Sequence, residues 1–206
     1  MDTSSKKNIK LPSKNYGEWR KRQHNKYLQG PLLVFILSAL FFFFFLGKTS
    51  FSEEVLLSRE GFIKTAFQKD VPEKKSLFFK GEVKEIAQKI MGQHYKKIRF
   101  KYWLYNSRSA WILNRIGKVR FITAGFIIDN CKIASVHVLV YRESHGWEIK
   151  YPLFRDQFEG VHLIRDYILN KKIDGITGAT LSVNSMKKMT QLALAMHNKI
   201  PDIGCS

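Results

Sequence analysis

Apolar and polar positions follow three different rhythms along the 206 residues. Residues 31–47, PLLVFILSALFFFFFLG, carry no charge, and with Tyr27 to Gly30 the charge-free run reaches 21 residues. That is close to the ~20 residues that cross a bilayer as a helix. A helical rhythm comes next. Val55, Leu56, Phe62, Ile63 and Phe67 form an imperfect stripe over Glu53 to Phe67, broken by Pro72 and a charged run. Glu82 to Met91 sets Val83, Ile86, Ala87 and Ile90 at spacings of three and four and stops at Gly92, which predicts a second helix. The period then shortens to two. Strands are predicted over Lys97 to Tyr105, Ala110 to Ile116, Val119 to Ile128 and Lys132 to Tyr141, with turns at Asn106-Ser107-Arg108 and Asp129-Asn130-Cys131. In the last strand Ala134, Val136, Val138 and Val140 share one face; Ser135, His137, Leu139 and Tyr141 share the other, with His137 expected to be hydrogen-bonded structure. A closing helix is predicted from Ser182 to Lys199, where Val183, Met186, Met189, Leu192, Ala193 and Met196 recur at helical spacing, the methionines as core filler. The expected fold is α+β: an antiparallel meander with flanking helices, preceded by one N-terminal transmembrane helix.

Charge orients that picture. Residues 1–30 hold eight Lys/Arg against Asp2 and Glu18, so +6 of the formal +18 lies there and the remaining +12 lies in residues 48–206. Basic residues before an apolar run keep the N-terminus in the cytoplasm and send the rest of the chain to the far side. The predicted organisation is a basic cytoplasmic segment (1–26), a signal anchor (27–47), a membrane-proximal helical region (48–83), a folded domain (84–200) and a short tail (201–206). A cleaved signal peptide is the competing reading, but Gly47-Lys48-Thr49 is a poor cleavage site. On the far side a basic surface suits an anionic membrane face, and nucleic acid is not an expected partner.

Cys131 and Cys205 would face an oxidising compartment, where a disulfide is permitted. No pairing follows from two cysteines so far apart, and with one in a turn and one at a frayed end two free thiols are expected. No CxxC or CxxCH occurs, and the six histidines show no metal-ligand spacing, so no metal is expected.

Candidate chemistry concentrates in Asp174-Gly175-Ile176-Thr177-Gly178-Ala179-Thr180. Gly178 and Ala179 let a ligand approach the backbone. Ser182 is a candidate N-cap for the helix behind it, and a helix N-terminus attracts phosphate through its free N–H groups and dipole. Read from the residues alone, a phosphate-binding or phosphate-carrying hydroxyl competes with a capped turn leading into a core helix.

The heptapeptide resembles the flavinylation motif of FMN-binding domains: Asp, two residues, Ser or Thr, Gly-Ala-Thr. Upstream, Tyr141-Arg142-Glu143-Ser144-His145-Gly146-Trp147-Glu148-Ile149 and Phe154-Arg155-Asp156-Gln157-Phe158-Glu159-Gly160 resemble a second family stretch, and the likeness covers roughly residues 60–198. Domains of this kind occur in the Rnf and sodium-translocating NADH:quinone reductase complexes and in small single-span membrane proteins, which this chain resembles more closely. The resemblance implies that an FAD-dependent flavin transferase attaches FMN to Thr180 by a phosphoester. It implies that Asp174, Thr177, Gly178, Ala179 and Ser182 shape that site, and that Tyr141, Glu143, Gly146, Glu148 and Gln157 lie near the flavin ring. Asn130-Cys131 departs from the family's usual glycine after the turn aspartate.

The implied function is a membrane-anchored extracytoplasmic electron carrier, passing electrons to or from a membrane redox protein. Two other classes stand beside it: a flavin-free scaffold of a membrane redox complex, and a flavin-dependent reductase of a small extracytoplasmic substrate. No GxGxxG for a nicotinamide cofactor and no clear acid/base pair supports the last.

Overall fold

The computed structural model describes residue 34 and residues 53–68, 70–201 and 203–205. The chain divides into two compact units, Met1–Ser50 and Phe51–Ser206, and the sheet with its packed helices lies in the second. Among the described residues no helix is long and apolar enough to cross a membrane. The expected anchor over 27–47 lies, apart from Val34, outside them.

Four strands form the predicted meander: β3 (Arg99–Tyr105), β4 (Arg108–Ile116), β5 (Phe121–Asp129) and β6 (Lys132–Tyr141). Two more, β1 (Glu54–Val55) and β2 (Lys74–Phe78), complete an antiparallel sheet of order β1-β6-β5-β4-β3-β2. Both of these edge strands come from the segment expected to be helical and membrane-proximal. Glu54 and Val55 pair with Tyr141 and Val140, and Lys74 to Phe78 pair with Trp103 to Arg99. The helix expected from Glu53 therefore starts later: α1 spans Arg59–Phe67. Its start is chemical, since the Ser58 hydroxyl accepts the Gly61 N–H at 2.9 Å and so caps the first turn. The apolar stripe is imperfect because Val55 belongs to a strand.

The sheet has a helix layer on each side. On one face α1 buries Phe62, Ile63, Ala66 and Phe67 against Ala110, Ile127 and Leu139. On the other, α2 (Gly81–Met91) and α4 (Thr180–His197) pack on Phe100, Trp111, Phe126 and Ile128, and the short helix α3 (Pro152–Arg155) adds Phe154. Met186, Met189 and Met196 are fully buried in this larger core. Tyr102 stacks on Trp111 across the β3–β4 pair, ring centres 4.9 Å apart.

Strand β6 departs from simple alternation. Its pairing with β5 slips between Ile127 and Ile128 and again between Thr123 and Ala124, leaving Ala134 and Leu139 as extra residues. Each bulge moves the following side chains to the opposite face. Ile133, Val136, Val138 and Tyr141 consequently share the larger core, while Ala134, Leu139 and Val140 join the α1 side. The expected grouping of Tyr141 with Leu139 is corrected by one bulge. His137 stays on the α1 side, with Nε2 3.1 Å from the Ser135 hydroxyl and its ring edge-on to Phe62.

The cysteines also correct an expectation. Cys131 and Cys205 are joined, with Cα atoms 5.7 Å apart. The bond ties the C-terminal tail to the β5–β6 turn, where Asn130 and Cys131 both adopt positive φ (48° and 64°). A two-residue hairpin turn of that hand favours glycine or asparagine, so the missing glycine leaves Cys131 in a strained conformation. His197, fully buried, places a ring nitrogen within 4.8 Å of both sulfurs. Those sulfurs are bonded to each other and offer no thiolate to a metal. The Nδ1 atom of His197 sits 2.7 Å from the Ser109 hydroxyl, which accepts the Trp111 indole N–H, while Nε2 has no partner among the described residues.

Burial lowers the His197 pKa from its ordinary 6.5 to about 4, against the opposing charge of Asp129. The unfolded chain therefore takes up a proton that the folded protein refuses as pH falls from about 6.5 towards 4. Stability conferred by neutral His197 is complete above that window and is lost within it, by about 3 kcal/mol. Thermal melts between pH 7 and 4 should show this loss in the wild type and a flatter profile in His197→Gln. Equal slopes would reject the assignment.

Candidate functional site

Helix α4 opens on the residue singled out by sequence. It begins at Thr180, not Ser182, with Ala179 at the N-cap and no side chain capping it. Ser182 is buried inside the first turn, so its expected capping role is replaced by a packing one. The turn before the helix is closed by the Ala179 N–H donating to the Ile176 carbonyl at 3.0 Å. Gly178 has φ +79°, which a side chain would strain, and a Cβ there would meet nothing within 4 Å. Ala179 is buried, whereas Asp174, Thr177, Gly178 and Thr180 are exposed. The Thr180 hydroxyl thus stands at the surface on the first residue of an 18-residue helix, where unpaired N–H groups and the helix dipole favour a phosphate.

The second motif folds against the first. Gly146, at φ +79°, lies so close to α4 that a Cβ would sit 2.9 Å from the Ala179 Cβ, 3.2 Å from the Ser182 hydroxyl and 3.4 Å from the Tyr141 hydroxyl. Only glycine fits there. Tyr141, turned to this side by the β6 bulge, donates from its hydroxyl to the His145 carbonyl. Its pKa is raised to about 12, chiefly by burial, with Glu143, Glu148 and Glu54 adding to the rise and a hydrogen bond with Ser182 opposing it. The phenol therefore remains a proton donor across the neutral range. Gln157 reaches the other end of the motif, its Oε1 accepting the Asp174 N–H at 2.8 Å.

Glu143 has a role that sequence did not reveal. Its Oε1 accepts the backbone N–H groups of Lys118, Val119 and Arg120 at 2.6, 2.8 and 2.8 Å, which closes the β4–β5 turn around a carboxylate. A Cβ on Gly117 would lie 2.8 Å from that same Oε1 and 3.1 Å from the Ser182 hydroxyl. The strand predicted from Val119 starts instead at Phe121, because Gly117 to Arg120 form this turn; a glycine beside a lysine between two apolar runs is the signal that marks it. Glu148 is half-buried and its Oε2 is buried without a hydrogen-bond partner among the described residues. Beside it, Trp147 and Tyr151 are about half exposed and meet edge-to-face at 5.3 Å.

Tyr141, Glu143, Gly146, Ala179 and Ser182 are therefore gathered around the N-terminal turn of α4, with Gln157 and Asp174 bound to each other at its approach. Residues 117–195, from the β4–β5 turn to the last turn of α4, match the model of the FMN-binding domain family. The chain carries an FMN-binding domain. No curated protein matches it.

The residues present suit that cofactor. FMN brings a phosphate dianion, ribityl hydroxyls and a flat ring. The first turn of α4 offers N–H groups to the phosphate, and the unpaired Glu148 oxygen is an acceptor lacking a donor such as a hydroxyl would supply.

Proposed function

We propose that this FMN-binding domain holds its flavin covalently on Thr180 and serves as a membrane-anchored extracytoplasmic electron carrier. The observation that carries the covalent reading is Thr180 itself, an exposed hydroxyl on the first residue of α4, preceded by an open glycine within a flavinylation-type heptapeptide. Attachment forms a bond from the Thr180 oxygen to the FMN phosphorus of FAD, breaks the pyrophosphate linkage, releases AMP and passes the hydroxyl proton to a base of the transferase. A flavin so fixed cannot diffuse away in a compartment without a free FMN pool. The flavin supplies the redox chemistry; the protein supplies position and electrostatics. Gln157 binds the first residue of the heptapeptide and Gly146 packs on its Ala179, Tyr141 presents a donor that does not ionise near neutrality, and Glu143 secures the neighbouring turn. The electron partner on this reading is a membrane redox protein containing haem or flavin.

Protein co-expressed with an active flavin transferase should give an ultraviolet-fluorescent band on a denaturing gel, and its mass should exceed that of the bare chain by one FMN residue. Absence of the band would reject covalent attachment, and absence of flavin absorbance from the native protein as well would favour a flavin-free scaffold. Rapid turnover of a small acceptor by the purified protein alone would favour a reductase over a carrier.

Topology is tested separately. The eight basic residues before the charge-free run support an uncleaved anchor with the domain outside. Protease added to intact spheroplasts should remove the chain beyond about Lys48 and spare the N-terminal segment. A fully protected domain would overturn the orientation.

A further inference from the structure

Among the described residues the α1 face of the sheet is only partly covered. Helix α1 is nine residues long and packs on β4, β5 and β6 through Ala110, Ile127 and Leu139; from β3 only Trp103 joins that cluster, so among the described residues the rest of the β2–β3 end has no helix packed on it. In β3, Phe100 and Tyr102 are buried in the opposite core, which turns Arg99, Lys101 and Trp103 towards this open end. Lys74 is paired directly with Trp103 and shares its face. Two adjoining cavities, of about 420 and 230 Å³, occupy the space between α1 and these strands and share Arg59, Lys101 and Trp103.

Six cations line this groove: Arg59 and Lys64 from α1, and Lys74, Lys97, Arg99 and Lys101 from β2, β3 and the approach to β3. Glu60 is the one carboxylate in the lining. None of the six makes an ion pair among the described residues, whereas Lys89, Arg108, Arg142, Lys150 and Lys199 do. Lys97, which lines the smaller cavity, is half-buried, and burial holds its ammonium below the usual lysine range. A desolvated cation without a counter-charge is unfavourable unless an anion joins it. Ile63, Val71, Trp103 and Ile112 add apolar surface to the same lining. Cations and apolar side chains in one lining fit an amphiphile with an anionic head better than a fully hydrated ion.

We propose that this groove binds the phosphate headgroups of anionic phospholipids and so docks the FMN-binding domain on the membrane surface. The proposal rests on the membrane-anchored reading, in which the charge-free run ends at Gly47, twelve positions before α1 begins. The lysines and arginines supply the charge match, and Trp103 and Val71 supply the apolar contact at the headgroup boundary.

The full chain, reconstituted in nanodiscs of phosphatidylcholine or of phosphatidylcholine with phosphatidylglycerol, is probed by amine acetylation and mass spectrometry. Lys64, Lys74, Lys97 and Lys101 should acetylate about fivefold more slowly in the anionic discs, while exposed lysines away from the groove such as Lys118 and Lys132 should not change. The double variant Lys97→Glu/Lys101→Glu should lose the protection at Lys64 and Lys74 while retaining its fluorescent flavin band, which reports an intact domain. Equal labelling in both discs overturns the proposal. Protection by inorganic phosphate in neutral discs, matching that of the lipid, reassigns the groove to a free anion and also overturns it. A chain that enters neither disc rejects the anchored reading instead; mixed with anionic vesicles, the same labelling then decides whether the groove takes lipid.

Discussion

Replacing Thr180 by alanine or valine should abolish the covalent flavin completely, because both substitutions remove the acceptor oxygen. The band on the denaturing gel should vanish and the mass should return to that of the bare chain. Folding should change little, within about 0.5 kcal/mol, since the side chain is exposed and caps nothing. Thr177→Ala should keep the band, as that hydroxyl is not the acceptor in the matched motif. Asp174→Ala should weaken or abolish attachment without unfolding the loop. Its side chain is exposed, and the bond that secures this position runs from its backbone N–H to Gln157. The loss would then arise in recognition by the transferase. Fluorescence persisting in Thr180→Ala would move the attachment site elsewhere.

Removing the disulfide should have the largest effect on stability. Cys131 and Cys205 are 74 positions apart, and closing a loop of that length restricts the unfolded chain by about 4 kcal/mol in the chain-entropy model. Denaturant melts of Cys131→Ser/Cys205→Ser, or of wild type with a dithiol reductant, should show a loss of that order. The tail beyond Ile200 should exchange its amide hydrogens fastest, because the bond is what fastens it to the β5–β6 turn. Two free thiols in the purified, denatured and unreduced protein would remove the basis of the prediction.

The local turn of the heptapeptide was more legible in the sequence than the fold around it. A heptapeptide carries its own turn: Gly178 takes the positive φ, Ala179 fits the buried N-cap, and Thr180 is left outside. These are local requirements, visible wherever the residues occur in that order. The second motif was legible as a list but not as a structure. Gly146 has the appearance of a turn glycine, yet its decisive neighbours are Ala179 and Ser182, more than thirty positions away. Glu143 has no partner nearby in sequence; its partners are three N–H groups of a turn in the preceding hairpin. Ser182 matches an N-cap by type and lies two residues inside the helix.

By itself the sequence determined the meander, the helices α2 and α4 and the position of the candidate acceptor, because period, turn residues and a short motif are local properties. Tertiary structure decided what depended on distant partners. Edge strands β1 and β2 have little periodicity of their own and exist because β6 and β3 offer unpaired backbone groups. The bulge at Leu139 sets Tyr141 on the α4 side, opposite Leu139, and a residue pattern does not mark the point where one strand gains a residue on its neighbour. The Cys131–Cys205 bond depends on the C-terminal tail returning to a turn 74 positions earlier. Hydrogen bonding across strands and packing across layers couple residues far apart in the chain, and local sequence cannot encode that coupling until the layers have met.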